Sequence, residues 1–242
     1  MTYILTSSPS VSMDGAINPE NGFLYALQRR IPQISRCVFI TSNPDDAHYS
    51  DHCCLCMCQA FEAVGFKFEA FDLNDRRSAP QAKRLVEQSD WVILGGGHVP
   101  TQNAFLHDIK LKTLLQRYNG LVMGISAGSM NCARVVYAQP EEPGEAKNPR
   151  YKRFLKGLGI TESQILPHYY MCKDMKVDGL RVYDDIAIRD SRGGNRFYVM
   201  PDGTYILGEN GHEEMHGEFW MIENGVMRKV AENGQVVNLA VI

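Results

Sequence analysis

The first 135 residues alternate between strand-like and helix-like segments, and this alternation constrains the fold more than any other feature of the chain. The strand-like segments are short and apolar: Tyr3–Thr6, Cys37–Thr41, Phe66–Leu73, Trp91–Leu94 and Gly120–Ile125. The predicted helices between them begin at Asn18, Ser50, Pro80 and Thr101, and the last three end near Val64, Gln88 and Arg117. Alternating strands and helices form right-handed crossovers and a parallel sheet covered on both faces. The sequence therefore predicts an α/β sandwich of three layers with a mostly parallel sheet.

The last third of the chain follows a different pattern. Residues 139–157 are rich in Pro, Gly, Glu and Lys and predict a long surface loop, while Lys176–Ile188 predicts a helix. The segment from about 195 to 242 contains short strand-like stretches separated by turn signals at Pro201-Asp-Gly, Glu209-Asn-Gly and Glu223-Asn-Gly. We expect a small, antiparallel, β-rich C-terminal part that packs on the edge of the main sheet, within one domain spanning 1–242.

Charge and composition exclude several classes of protein. The 242 residues include 25 Lys and Arg and 28 Asp and Glu, for a formal charge of −3, so the chain has no basic surface for nucleic acid or anionic membrane. No apolar stretch reaches the ~20 residues that span a bilayer, and the first residues lack a secretion signal. Four of the seven cysteines crowd into 53–58, a spacing poor for disulfides. We expect a cytoplasmic protein without nucleic-acid or membrane partners.

Gly124-Ile125-Ser126-Ala127-Gly128 is the most informative pentapeptide. It follows a predicted strand and precedes a predicted helix, which is the setting of a nucleophile elbow. Such a turn presents the serine hydroxyl at the carboxyl edge of the sheet, and the Ala127 N–H would be one oxyanion donor. The alternative is a glycine-flanked turn in which Ser126 only caps a helix.

Gly95-Gly96-Gly97 also follows a buried strand, and glycines let backbone N–H groups approach a ligand closely. We expect Gly97 or Gly96 to provide the second oxyanion donor. A phosphate-binding loop lacks support because neither the Walker lysine nor the Gly-x-Gly-x-x-Gly spacing is present. A flexible turn remains the alternative.

A serine needs a base to take its proton, and His168 is the best candidate. It closes the strand-like segment Ile165–Tyr170, although a structural role for this histidine stays open. His98, next to the triglycine loop, is a second candidate, either as a substrate contact or as a rival base.

These motifs in this order, Gly-Gly-Gly, then Gly-Ile-Ser-Ala-Gly-Ser, then Pro-His-Tyr, resemble the serine peptidase family of aspartyl dipeptidase (dipeptidase E) and cyanophycinase. The resemblance covers roughly residues 35–210 and implies a flavodoxin-like fold similar to class I glutamine amidotransferases. By this resemblance Ser126 matches the nucleophile and His168 the general base, while Gly97 and Ala127 match the oxyanion hole.

The resemblance also implies a triad acid and substrate contacts. The position 15 residues after the nucleophile holds Glu141, where the dipeptidases have aspartate; Glu142 and Asp174 are the other candidates. His98 replaces the asparagine that helps the dipeptidases bind the substrate's aspartyl carboxylate. Arg181 stands at the position of an arginine found in these enzymes, and it would pair with a carboxylate or remain a solvated helix residue.

Two metal-binding motifs compete with this interpretation. His212-Glu213-Glu214-Met215-His216 satisfies the zincin pattern, but glycines bracket it and its flanks resemble strands, so the required helix is not expected. On a helix Cys54 and Cys58 would share a face while Cys56 points away, so we expect buried cysteines and no metal site.

The sequence thus predicts a serine-type exopeptidase or dipeptidase that cleaves a small peptide substrate, with an aspartyl preference left open. It would need no metal and no organic cofactor. The alternatives are a cyanophycinase-like hydrolase of β-aspartyl peptides and a non-catalytic binding protein on the same scaffold. The oligomeric state stays open, with a homodimer as one option.

Overall fold

The structure is a computed structural model that describes residues 1–10 and 15–242. Its strands are β1 Thr2–Thr6, β2 Ile34–Ile40, β3 Lys67–Asn74, β4 Trp91–Leu94, β5 Leu121–Ile125, β6 Val135–Tyr137, β7 Phe154–Lys156, β8 Gln164–Leu166, β9 Lys176–Val177, β10 Leu180–Arg181, β11 Arg196–Val199, β12 Tyr205–Glu209, β13 His212–His216, β14 Phe219–Glu223, β15 Val226–Ala231 and β16 Val236–Asn238. Its α-helices are α1 Phe23–Gln28, α2 Ala47–Ala63, α3 Ala82–Gln88, α4 Val99–Asp108, α5 Leu111–Leu115, α6 Ala127–Asn131, α7 Tyr169–Cys172 and α8 Ile188–Ser191. A π-helical segment, Val182–Ala187, precedes α8, and short 3₁₀ segments occupy Glu20–Gly22, Ala79–Gln81 and Leu239–Val241.

The main sheet has eight strands in the order β16-β13-β12-β1-β5-β4-β2-β3. The five strands from β1 to β3 in this order pair in parallel, and the other three pair antiparallel. Alternate residues of a strand point to opposite faces. In β2, Val38 packs into the apolar cluster with α3, α4 and α5, while Phe39 packs into the cluster with α1 and α2. The predicted α/β sandwich with a mostly parallel central sheet is confirmed.

A second sheet of four strands, in the order β15-β14-β11-β8, comes from the later part of the chain. Within it β8 and β11 are parallel, with Leu166 opposite Val199. Ile165 and Tyr198 of this sheet join the same apolar cluster as Leu94 and other residues of the main sheet. The carboxyl ends of β8 and β11 therefore lie side by side, next to the main sheet.

The β-rich C-terminal part is confirmed, but its strands do not simply cover an edge. β12 pairs directly with β1, so β12, β13 and β16 continue the main sheet, while β11, β14 and β15 join the second sheet. The Asn-Gly turns form as predicted: both residues have positive φ, 53° and 81° at Asn210 and Gly211, and 54° and 81° at Asn224 and Gly225.

Some predicted helices differ from the structure. The helix predicted over 176–188 is wrong only in its first half, where Asp178 and Gly179 adopt positive φ and join β9 to β10 as a hairpin; helical structure begins at Val182, in the π-helical segment. The helix predicted over 101–117 is two helices, α4 and α5, separated at Lys110, which has φ 56°. The helix predicted from Asn18 begins later, at Phe23, after the 3₁₀ segment.

None of the helices in residues 1–10 and 15–242 combines the length and the apolar character that crossing a bilayer requires.

Candidate active site

Ser126 lies in a sharp turn between β5 and α6, with φ 50° and ψ −113°. A non-glycine residue at positive φ carries strain of about 1–3 kcal/mol, which surrounding structure must hold in place. A larger residue would clash at either flanking glycine: a Cβ at Gly124 would lie 2.6 Å from the Ser129 Cα, and one at Gly128 would lie 2.2 Å from the Leu94 carbonyl oxygen. The local geometry is that of a nucleophile elbow, with the hydroxyl at the carboxyl edge of the main sheet.

His168 reaches this hydroxyl from the second sheet. It follows the end of β8, and its Nε2 lies 2.9 Å from the Ser126 Oγ. Its backbone has φ 57°, and its N–H donates to the Ser7 hydroxyl at 2.8 Å. The imidazole is therefore placed to accept the serine proton, as the sequence predicts for a general base.

The acid partner of His168 is Asp202. Its Oδ1 lies 2.7 Å from the His168 Nδ1, and the Ser7 hydroxyl donates to the same oxygen at 2.7 Å. Burial raises the pKa of Asp202, but the hydrogen bond and charge of His168 outweigh burial, so the pKa of this carboxyl lies below its ordinary value. With Nδ1–H donated to Asp202, Nε2 is left as the acceptor that faces Ser126.

The expectation that Glu141 is the triad acid is corrected by this geometry. Among the described residues, the carboxylate bonded to His168 is that of Asp202, while Glu141 lines the same cavity without bonding to the imidazole. Glu142 and Asp174 are exposed, and within the residues that the structure describes neither of them bonds to His168. In the sequence Asp202 is only the centre of a Pro-Asp-Gly turn signal; the feature that identifies it is that Asp202 and His168 each follow a strand of one parallel pair, β8 and β11.

The triglycine loop lies across from Ser126. A Cβ at Gly96 would come within 3.3 Å of the Ser126 Cβ, so the loop approaches the nucleophile closely. The Gly96 carbonyl accepts hydrogen bonds from the Ser42 hydroxyl and, at 3.1 Å, from the Tyr49 hydroxyl. Because the C=O and N–H of a trans peptide point in opposite directions, these two hydroxyls aim the Gly97 N–H away from Ser42.

Two local features bear on Gly97 and Ala127, the predicted oxyanion donors. Gly97 has φ 146°, and a Cβ there would lie 2.2 Å from the Ser42 Oγ, so glycine is needed. The Ala127 N–H is in the first turn of α6, where N–H groups have no acceptor within the helix. Ser42 and Tyr49 hold the Gly96 carbonyl, and no local motif in the sequence links them to residue 96.

The His98 side chain forms hydrogen bonds that link two loops. Its Nδ1 lies 2.7 Å from the Thr101 hydroxyl, and its Nε2 lies 2.9 Å from the Glu145 carboxylate. The other oxygen of Glu145 accepts the backbone N–H groups of Glu141 and Glu142. His98 therefore ties the triglycine loop to the loop that carries Glu141, and it does not line the cavity at Ser126.

Arg181 does not reach the cavity. Its guanidinium pairs with Asp184 at 2.8 Å and with Asp185 at 3.3 Å, and about half of its side chain is exposed (52%). The structure therefore does not bring Arg181 to the cavity, where the sequence predicts a substrate contact. In place of the first half of the predicted helix, β9 and β10 form a hairpin, and Arg181 in β10 pairs with the acids that follow it.

The cavity at Ser126 has a volume of about 300 Å³. Ser126, His168, Gly97 and Pro167 form one side, and the rest of its wall consists of Met130, Gln139, Glu141, Met171, Cys172 and Met175. Glu141 as a whole is exposed, but its carboxyl lies against the cavity wall, and desolvation there is the main reason that its pKa rises to about 7. The cavity is therefore mostly apolar, with the Ser126 hydroxyl at one end.

The two motifs with metal-ligand spacing have other structures than a metal site requires. His212–His216 is strand β13, in which His216 stacks on Tyr205, so the zincin helix is absent there. All seven cysteines are unpaired, and burial raises the pKa of Cys54 to about 12. One group of three candidate ligands occurs in the described chain, His98, Glu142 and Glu145, but both Glu145 oxygens already accept hydrogen bonds.

Comparisons with known proteins bear on the family and the fold. A model of peptidase family S51 matches residues 3–215. A peptidase from an acI-B1 Actinobacterium has a similar structure, with 15% identity, a TM-score of 0.67, and coverage of 98% of this chain and 96% of that one. A putative peptidase E protein from Listeria monocytogenes EGD-e has 14% identity and a TM-score of 0.58, covering 95% and 98% of the two chains.

At these identities the two structures demonstrate a shared fold alone. No curated protein matches the chain. The family model, in contrast, spans most of the sequence, including the elbow, the triglycine loop, His168 and Asp202. The chain therefore belongs to peptidase family S51, the dipeptidase E family that its motifs resemble.

Proposed function

We propose that this protein is a serine-type peptidase that hydrolyses an amide bond of a small peptide through an acyl-enzyme. The observation that carries the proposal is the hydrogen-bonded series Ser126–His168–Asp202, with distances of 2.9 Å and 2.7 Å. An exopeptidase or dipeptidase is favoured because the cavity beside Ser126, about 300 Å³, is at the small end of the roughly 300–1,000 Å³ typical of ligand sites.

The reaction would begin with attack of the Ser126 Oγ on the carbonyl carbon, while His168 Nε2 takes the hydroxyl proton. The carbonyl oxygen becomes an oxyanion that the N–H groups of Gly97 and Ala127 would stabilise, typically the largest electrostatic contribution. Asp202 would hold the imidazole tautomer and stabilise the imidazolium.

The intermediate then collapses as the carbon–nitrogen bond breaks. His168 gives its proton to the leaving amine, and the acyl group remains on Ser126. A water molecule, deprotonated by His168, attacks the acyl carbon and releases the acid, which restores the Ser126 hydroxyl.

The test is turnover of a dipeptide panel, including aspartyl and β-aspartyl peptides, combined with fluorophosphonate labelling of the serine. We expect Ser126→Ala to lose about 10⁴-fold or more in kcat and to lose the label. Ser89→Ala, which removes a hydroxyl bonded to the Val86 carbonyl at the end of α3, is the matched control. A wild-type protein that neither cleaves any peptide nor takes the label would contradict the proposal.

A further inference from the structure

The cavity beside Ser126 has walls suited to an apolar side chain. Met130, Met171, Cys172 and Met175 converge on it from α6 and from the segment around α7. Methionine side chains are flexible and polarisable, and they adapt to apolar groups of different shape. The volume of about 300 Å³ suits one residue of a peptide better than an extended chain.

The charges of the cavity exclude an acidic side chain. Among the described residues that line it, Glu141 is the carboxylate and none is Lys or Arg. Arg181, the cation that the family resemblance would bring here, is engaged by Asp184 and Asp185 outside the cavity. A substrate carboxylate would face Glu141 without a compensating cation, which disfavours binding.

Among the described residues, Glu141 does not bond to His168 and pairs with no Lys or Arg. Its backbone N–H is bonded to Glu145, so the loop is anchored, yet no described residue donates a hydrogen bond to its carboxylate. Burial raises the pKa of this group to about 7, because the charged form is poorly solvated. A cation brought by the substrate would satisfy it.

An N-terminal residue offers both matching groups. Its α-ammonium and its side chain are attached to the same carbon, one bond from the carbonyl that Ser126 attacks. Because Glu141, the methionines and Ser126 line one cavity, a single residue can address all three. We propose that this site takes the N-terminal residue of a peptide with an apolar side chain, whose free α-ammonium is bound by the Glu141 carboxylate.

This inference rests on the proposed function, since the attacked bond is that of the same residue. Its test therefore begins with binding. The Ser126→Ala protein binds peptides without forming an acyl-enzyme, and calorimetry at pH 8 compares leucyl-alanine, N-acetyl-leucyl-alanine and aspartyl-alanine. We expect leucyl-alanine to bind about ten- to a hundredfold more tightly than either of the others, the range of a lost charged hydrogen bond.

The variants locate the effect. Adding Glu141→Gln removes the charge but leaves the backbone bonds to Glu145, so the advantage of leucyl-alanine over its acetylated form should fall to about threefold or less. Glu87→Gln, on the exposed face of α3 beside Lys83, is the matched control and keeps the full advantage. Met175→Arg, which adds a cation to the cavity wall, should improve binding of aspartyl-alanine.

Equal binding of the free and acetylated peptides, tighter binding of aspartyl-alanine, or no binding of leucyl-alanine at millimolar concentration would each overturn the inference. Failure of the proposed function looks different: selective binding of leucyl-alanine that depends on Glu141 would persist, while the wild-type protein shows neither turnover nor fluorophosphonate labelling. Conversely, turnover that tolerates N-acetylation leaves the peptidase in place and overturns the amine site.

Discussion

The candidate triad is assembled from two regions that are built differently. Ser126 follows β5 of the main sheet, and its geometry depends on contacts within a few residues and on the neighbouring strand β4. His168 and Asp202 follow β8 and β11 of the second sheet, which pair in parallel although 34 positions separate the two side chains. The nucleophile is thus set by local backbone geometry, and its base by the pairing of distant segments.

Ser7 joins these two regions. It follows β1 of the main sheet, donates its hydroxyl proton to Asp202 at 2.7 Å, and accepts the His168 N–H at 2.8 Å. Ser42 has the corresponding role on the other side, where its hydroxyl holds the Gly96 carbonyl. The Ser7 hydroxyl therefore orients His168 and Asp202, and the Ser42 hydroxyl orients the peptide group that carries the Gly97 N–H.

The largest expected effect distinguishes Asp202 from the other acids. Asp202→Asn preserves the shape but presents a neutral amide to His168, which costs the correct tautomer and the stabilisation of the imidazolium. We expect kcat to fall by about 10³- to 10⁴-fold, the scale of the same change in serine proteases with this triad. Steady-state kinetics on a cleaved dipeptide is the measurement.

Asp174→Asn is the control for this prediction, because Asp174 lies six residues after His168 and is exposed. It should retain wild-type kinetics. Glu141→Gln should raise KM more than it lowers kcat, since Glu141 lines the cavity without bonding to His168. A loss in Glu141→Gln that equals the loss in Asp202→Asn would show that the triad acid is misassigned.

This contrast explains how much of the molecule the sequence could predict. Strands β1 to β5 and the elbow are local patterns, so the α/β sandwich, Ser126 and the neighbouring glycines follow from short segments. Asp202 could not be separated from an ordinary Pro-Asp-Gly turn, because its role depends on β11 lying beside β8. The hairpin at Asp178-Gly179 did carry a local signal, a two-residue turn sequence, but the helical pattern around it concealed that signal.

A smaller effect separates the two hydroxyls. Ser7→Ala and Ser42→Ala should each lower kcat by about tenfold, the cost of one misplaced hydrogen-bonding group. Their pH profiles of stability should differ. The Ser7 hydrogen bond helps to keep the pKa of Asp202 low, so Ser7→Ala raises that pKa, and the loss of stability on the acid side should begin at higher pH in urea unfolding. Ser42→Ala leaves the pKa of Asp202 and this pH dependence of stability in place. Identical pH profiles of stability would argue against separate roles.

The smallest effect concerns stability, and it has opposite pH dependence at the two acids. The pKa of Glu141 rises from 4.5 to about 7 in the folded protein, so between these values the folded state binds more protons than the unfolded state. The stability of the wild type should therefore fall as pH rises from 4.5 through 7. Glu141→Gln removes this dependence, and its free energy of unfolding should rise by about 1 kcal/mol relative to the wild type between pH 5 and 8, a value reduced by solvent screening.

The folded-state pKa of Asp202 is lowered instead. Its contribution to stability is fully present above the unfolded pKa of 3.8 and is lost as pH falls below that value, so the free energy of unfolding of Asp202→Asn should be lower than that of the wild type by a constant amount over pH 5–8. Urea unfolding at pH 5, 6.5 and 8 measures both slopes, and a Glu141→Gln difference that stays constant with pH would place its carboxyl in water and remove it from the cavity wall.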